Sequence, residues 1–231
     1  MSGQRQASRV SSLDGAGRTL SVNRARFRRA ITPRLAGLLW LGLLSACGAP
    51  EPDLPVLATD AIIVAFGDSL TRGTGAPAGR GYPEVLADMV GREVINAGVP
   101  GELSSAGRDR LAALLDRTEP ALLLLCHGGN DLLRRQDLRQ LHDNLEAMIA
   151  LARDRGIAVL LIGVPRPGLF LGTADVYHEV ATATATPIEH AALAEILGNA
   201  EFKSDAVHPN ATGYRRLAEH IRDRLVELGA L

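Results

Sequence analysis

Aromatic side chains are scarce in this chain of 231 residues: four Phe, three Tyr and one Trp, 3% of the sequence. Phe27 and Trp40 fall in the amino-terminal segment and Phe66 in an apolar run, so few rings remain to stack on a carbohydrate. Cysteine is rarer still, and two residues, Cys47 and Cys126, exclude a disulfide framework. The apolar run Leu35–Ala46 has twelve residues. As a helix it spans roughly 18 Å against a hydrocarbon core of ~30 Å, which argues against a stable membrane span. An excess of basic charge is confined to one end. Residues 1–46 hold eight Arg against one acid, Asp14; of the chain's 25 basic and 26 acidic side chains this leaves 17 and 25 for the rest, a formal charge of −8. Such a body has no general attraction for nucleic acid, which is excluded as the main partner. Internal repeats and long low-complexity tracts are absent as well.

What is present has the balance of a globular protein, 46% hydrophobic and 22% charged, with length for one well-buried domain. The amino-terminal order is that of a secretory signal: Arg-rich region, short apolar region, small residues at the cut. Leu44-Ser45-Ala46-Cys47 resembles the lipobox of bacterial lipoproteins, which implies that residues 1–46 are removed and that Cys47 is acylated. An ordinary signal peptide cut nearby, an uncleaved anchor, and a twin-arginine signal at Arg28-Arg29 are the alternatives. Residues 47–59 then read as the lipidated Cys with a Pro-, Ala- and Glu-rich tether, and residues 60–231 as the domain. Gly48, where an Asp would retain a lipoprotein in the inner membrane, places the expected anchor at the outer membrane, with the domain in the periplasm.

Short runs rich in Ile, Val and Leu at 61–66, 92–96, 121–126 and 157–163, and more weakly at 186–189, read as strands. Between and after them, 82–90, 104–116, 136–155, roughly 173–183, and 211–228 read as helices. Leu138, Leu141, Leu145, Met148 and Ile149 mark one apolar face of the longest inner helix. Alternation of this kind predicts an α/β domain: a parallel sheet covered by helices on both faces, with ligands beyond the carboxyl ends of the strands. Cys126, closing an apolar run, is expected as a buried thiol.

Four loops carry chemistry. Gly67-Asp68-Ser69-Leu70 puts a hydroxyl immediately past the first strand. Taken alone it is a turn as readily as a nucleophile, and Thr71 in fifth place means it is not a Gly-x-Ser-x-Gly elbow. Asp205-Ala-Val-His208-Pro209-Asn210 sets a carboxylate three residues before an imidazole, ahead of a helix that Asn210 can cap. That spacing lets Asp205 hold Nδ1 of His208 and leaves Nε2 free to take a proton, though it also suits a surface loop. Asn96–Gly101 follows the second strand and His127-Gly-Gly-Asn130-Asp131 the third; the Gly101 N–H, able to approach a substrate for want of a Cβ, the Asn130 amide and the Ser69 N–H can surround an oxyanion.

Together, GDSL at 67–70, Gly101 in its block, GGND at 128–131 and Asp205 with His208 resemble the SGNH, or GDSL, hydrolase superfamily, over essentially all of residues 60–228. GDSLTRGTG, Tyr82-Pro83 and INAGVPGELSSAGRDRL look most like its bacterial thioesterase I, lysophospholipase and arylesterase branch. The resemblance implies a flavodoxin-like three-layer α/β/α domain around a central five-stranded parallel sheet, and a serine-dependent hydrolase of carboxylic esters or thioesters that needs no metal or other cofactor. It assigns Ser69, Asp205 and His208 to the triad, an acyl-enzyme to Ser69, and Ser69, Gly101 and Asn130 to the oxyanion hole. His127 departs from the pattern; it is expected as a polar loop residue, or as a second base with Asp131 four residues on. Leu169, Phe170 and Leu171 offer an apolar wall for a small acyl group, or pack the following helix. A carbohydrate O-acetyl esterase and a non-catalytic lipoprotein that binds acylated ligands are the competing readings. The first is disfavoured by the lack of rings, the second by the completeness of the site set.

Overall fold

The computed structural model describes residues 52–168 and 172–231; the expected signal segment, Cys47 and Leu169–Leu171 lie outside the described residues. Five parallel strands, β1 (Ile63–Gly67), β2 (Val94–Gly98), β3 (Leu122–Cys126), β4 (Ala158–Ile162) and β5 (Ile188–Glu189), form one sheet in the order β2-β1-β3-β4-β5. Every residue of β1 and β3 is buried. The Leu-rich β3 has residues of high helix propensity. Five residues between Pro120 and Gly128 are too few for a stable helix, and pairing on both edges decides for a strand. β2, at the sheet edge, is only half-buried.

On one face α2 (Tyr82–Val90) packs against α8 (Ala211–Glu227), which also meets α7 (Ala192–Gly198); on the other α3 (Ser104–Thr118), α5 (Leu138–Arg153) and α6 (Asp175–Thr184) pack in succession. The three-layer, flavodoxin-like architecture is the expected one. Asn210 caps α8 as its position foretold, its side chain accepting from the Gly213 N–H at 3.0 Å. Cys126 is a free, fully buried thiol. The chain reverses direction across the sheet between β1 and β3, so their carboxyl ends diverge into a crevice, the place such sheets bind ligands.

The structure departs from the sequence expectation in three places. Two supposed loops are short helical turns, α1 (Ser69–Arg72) and α4 (Gly129–Leu133), and α7 follows the shortened β5. Glu189 starts α7, its carboxylate accepting from the Ala191 and Ala192 N–H groups, both at 2.9 Å. The tether is also shorter than residues 47–59. Leu54 and Leu57 are buried, and their N–H groups donate to the carbonyls of Leu228 and Ala230, both at 2.9 Å. Two buried Leu side chains bind this strap to the domain by the apolar area they remove from water.

Candidate active site

Asp68 gives α1 its start. Its carboxylate accepts from the Leu70 N–H at 3.0 Å, and Gly73 ends the turn in the left-handed conformation. Ser69 is thereby held as the first residue of α1, two positions past the end of β1, with its hydroxyl directed to the crevice. Burial pushes the Asp68 carboxyl above the ordinary carboxylate range.

From the far end of the chain, the loop ahead of α8 brings His208 to the same place. Asp205 shapes that loop: Oδ1 accepts from the N–H groups of Val207 and His208, each at 2.8 Å, and Oδ2 lies 2.8 Å from His208 Nδ1. Partial burial raises the Asp205 carboxyl, but the bonds from His208 and the two N–H groups outweigh it and hold the group below its usual range. A carboxylate only accepts, so the Nδ1 proton faces it and Nε2 is left to accept from the Ser69 hydroxyl, 3.0 Å away. The sequence-predicted Ser69, His208 and Asp205 are thus one hydrogen-bonded chain.

Gly101 and Asn130 stand on the two neighbouring loops. Asn130 Nδ2 donates to the Glu102 carbonyl at 3.1 Å and makes a longer contact, 3.4 Å, with Asp68 Oδ2. Gly101 sits at φ +79°; a Cβ there would meet only Arg134 at 3.8 Å. Within the protein, its backbone conformation is what calls for glycine. Among the described residues neither the Ser69 nor the Gly101 N–H donates within the protein.

His127 is a polar residue of the loop after β3, as expected, but it is not a partner of Asp131. It is fully buried, with Nε2 3.0 Å from Glu102 Oε2, while Asp131 accepts from the N–H and hydroxyl of Ser104 at 2.9 and 2.7 Å. The sequence reading missed Asp68 and Glu102 as supports of the site, although both adjoin residues it had singled out. His142, His178, His190 and His220 lie away from the cleft. His142 clusters with Asp143 and Glu146 on the outer side of α5, where three potential metal ligands come within 4.8 Å of one another on a largely solvated surface.

A cleft of about 350 Å³ opens beside Ser69 and His208, its walls formed by Leu70, Leu133, Val164, Pro167, Leu197 and Val207. The loop after β4 does reach it, through Val164–Gly168. Among the described residues none of the three tyrosines lines it: Tyr82, Tyr177 and Tyr214 are fully buried.

Residues 65–216 match the model of the GDSL-like lipase/acylhydrolase family. Esterase TesA of Pseudomonas aeruginosa is 32% identical over 190 residues, covering 78% of this chain and 94% of that protein. An arylesterase of Vibrio mimicus is 28% identical over 84% of this chain and 98% of its own length. The crystal structure of TesA superposes with a TM-score of 0.65 at 30% identity, over 72% of this chain and 99% of that one. With an α/β fold that superposes on that of TesA, and a family match over most of its length, the chain belongs to the GDSL-like lipase/acylhydrolase family and is a serine ester hydrolase of it.

Proposed function

We propose that Ser69 is the nucleophile, His208 the general base and acid, and Asp205 the group that orients the imidazole, in hydrolysis of small or single-chain acyl esters and thioesters. The observation that carries the assignment is the unbroken chain from Asp205 Oδ2 to His208 Nδ1 at 2.8 Å and from Nε2 to Ser69 Oγ at 3.0 Å. The Ser69 oxygen attacks the acyl carbonyl as its proton passes to His208 Nε2; His208 then returns that proton to the departing alcohol or thiolate, leaving an acyl-enzyme on Ser69. Water, deprotonated by His208, releases the acid and regenerates the serine. The Ser69 and Gly101 N–H groups and one Asn130 N–H form the oxyanion hole. Asn130 keeps one hydrogen on the Glu102 carbonyl, and its long contact to Asp68 yields readily to a developing charge.

The apolar walls favour an alkyl or aryl acyl group, and the buried state of every described tyrosine disfavours sugar stacking. Turnover of p-nitrophenyl esters from acetate to palmitate, with Ser69→Ala alongside, tests the assignment. Activity in the parent that the variant lacks supports it, and the optimum fixes the chain length; a folded parent no better than the variant on any ester overturns it. We further propose export and a lipid anchor at Cys47 on the periplasmic side of the outer membrane, which rests on the sequence order Leu44-Ser45-Ala46-Cys47-Gly48. Metabolic labelling with an alkyne fatty acid should mark the parent and not Cys47→Ser; an unlabelled parent would refute the anchor.

A further inference from the structure

Three loops meet at one buried carboxylate. Glu102, the neighbour of Gly101, accepts from Arg110 Nε at 2.7 and 3.0 Å and from Arg110 Nη2 at 2.7 Å, and lies 3.0 Å from His127 Nε2. Arg110 Nη2 also donates to the carbonyls of Gly67 and Ala97, at 3.2 and 2.9 Å, at the carboxyl ends of β1 and β2, while its guanidinium covers the Phe66 ring at 4.0 Å. His127 closes the circuit from the end of β3. Its Nδ1 accepts from the Gly128 N–H at 2.9 Å, which assigns the ring proton to Nε2 and makes the ring a donor to Glu102; its carbonyl accepts from Tyr177 at 2.7 Å. The Glu102 carbonyl in turn holds the Asn130 amide. None of the three side chains lines the cleft.

The sheet ladder stops at Gly67, Gly98 and Cys126, and the three donors of the oxyanion hole lie just beyond it, on three separate βα connections. Hydrogen-bond donors lower a barrier only to the extent that they are fixed before charge develops. A buried ion pair contributes little net stability compared with an apolar replacement, but its bonds are directional and fix position. We infer that Glu102, Arg110 and His127 are positioning residues that hold the Ser69, Gly101 and Asn130 donors in register with one another, an assignment that rests on the oxyanion hole proposed above. The cluster has no slack. A side chain at Gly107 of α3 would run into His127 Nε2, so α3, which carries Arg110, is packed directly on the imidazole.

The test is a double-mutant cycle on kcat and KM for p-nitrophenyl butyrate, with His127→Phe, Asn130→Ala and the double variant, and folding checked by urea denaturation. His127→Phe keeps a ring against Phe66 and removes the donor to Glu102. Glu102→Asp, which keeps the charge and shortens its reach, goes through the same cycle and serves if the first variant does not fold. Displaced donors predict a kcat loss on the order of 10-fold for His127→Phe with KM nearly unchanged, against ~10²–10³ for Asn130→Ala. In the double variant the combined loss should fall short of the product of the two single losses, because one of the three donors that His127 positions is gone. A folded variant with parental kcat, or losses that multiply in the double variant, overturns the positioning role. An Asn130→Ala variant with parental kcat would instead remove the oxyanion-hole assignment on which it stands.

Discussion

Among the described residues two carboxylate–histidine pairs stand within 3.0 Å, and their surroundings give them opposite uses. Asp205 and His208 stand 2.8 Å apart with side chains 53% and 18% exposed; Glu102 and His127 stand 3.0 Å apart at 8% and 0%. In the first pair one imidazole nitrogen is held and the other faces a hydroxyl at the edge of an open cleft. In the second both nitrogens are taken, one by a carboxylate and one by a backbone N–H. An imidazole moves protons only where a nitrogen is left over and water or substrate can reach it. Bond length alone does not distinguish a base from a brace.

Removing the serine gives the largest separation between the pairs. Ser69→Ala should lower kcat on the order of 10⁶-fold, and His208→Ala by a similar factor with no additive loss in the double variant, as for residues acting as one unit. Esterase assays at saturating substrate check this. Asp205→Asn, which leaves Nδ1 facing an amide, should cost about 10⁴ in kcat while the urea midpoint stays within error, since the side chain is half exposed. The buried pair should respond in the opposite sense. Glu102→Ala leaves the Arg110 guanidinium without its partner and should destabilise the fold by about 3 kcal/mol, read by equilibrium unfolding.

Acid sharpens the contrast. Burial alone would raise the Glu102 carboxyl, but hydrogen bonds from His127 and Arg110, together with the Arg110 charge, bring it down to about 2. A carboxyl lowered from 4.5 in the unfolded chain to about 2 in the folded one stabilises the fold fully above the higher value and loses that contribution as pH falls towards the lower. The urea midpoint should therefore drop between those two pH values, and drop less steeply in Glu102→Gln. The smallest effect is expected at Gly101→Ala. Space is open there, so only the positive φ is strained, a cost of about 1 kcal/mol and a Tm lower by about 2–4 °C in a scanning calorimeter.

The layer architecture and all five strands were legible in the sequence because continuous apolar runs and amphipathic helices report burial directly. The residues now joined at Ser69 were legible for another reason: a nucleophile, a base and their donors need particular side chains at loop positions. What escaped was short or paired across the fold. α7 shows its apolar period at Leu193, Ile196 and Leu197, but seven residues beside a two-residue strand give little signal. Asp68 read as part of a turn, and only the fold shows it buried beneath Asn130. His127 read only as a polar loop residue because its partner Glu102 is 25 residues away and nothing in the sequence joins them.

The bond between Ser69 and His208 joins positions 139 residues apart, the first βα loop and the loop before the last helix. Closing a contact of that sequence separation carries a large loop-closure cost, so the active site is expected to complete late in folding. Hydrolysis thus doubles as a clock for the folding of the whole domain. A chain emerging from a translocon or refolding from urea should regain its helical circular dichroism before its esterase activity, and the lag between the two is the time needed to close the sheet.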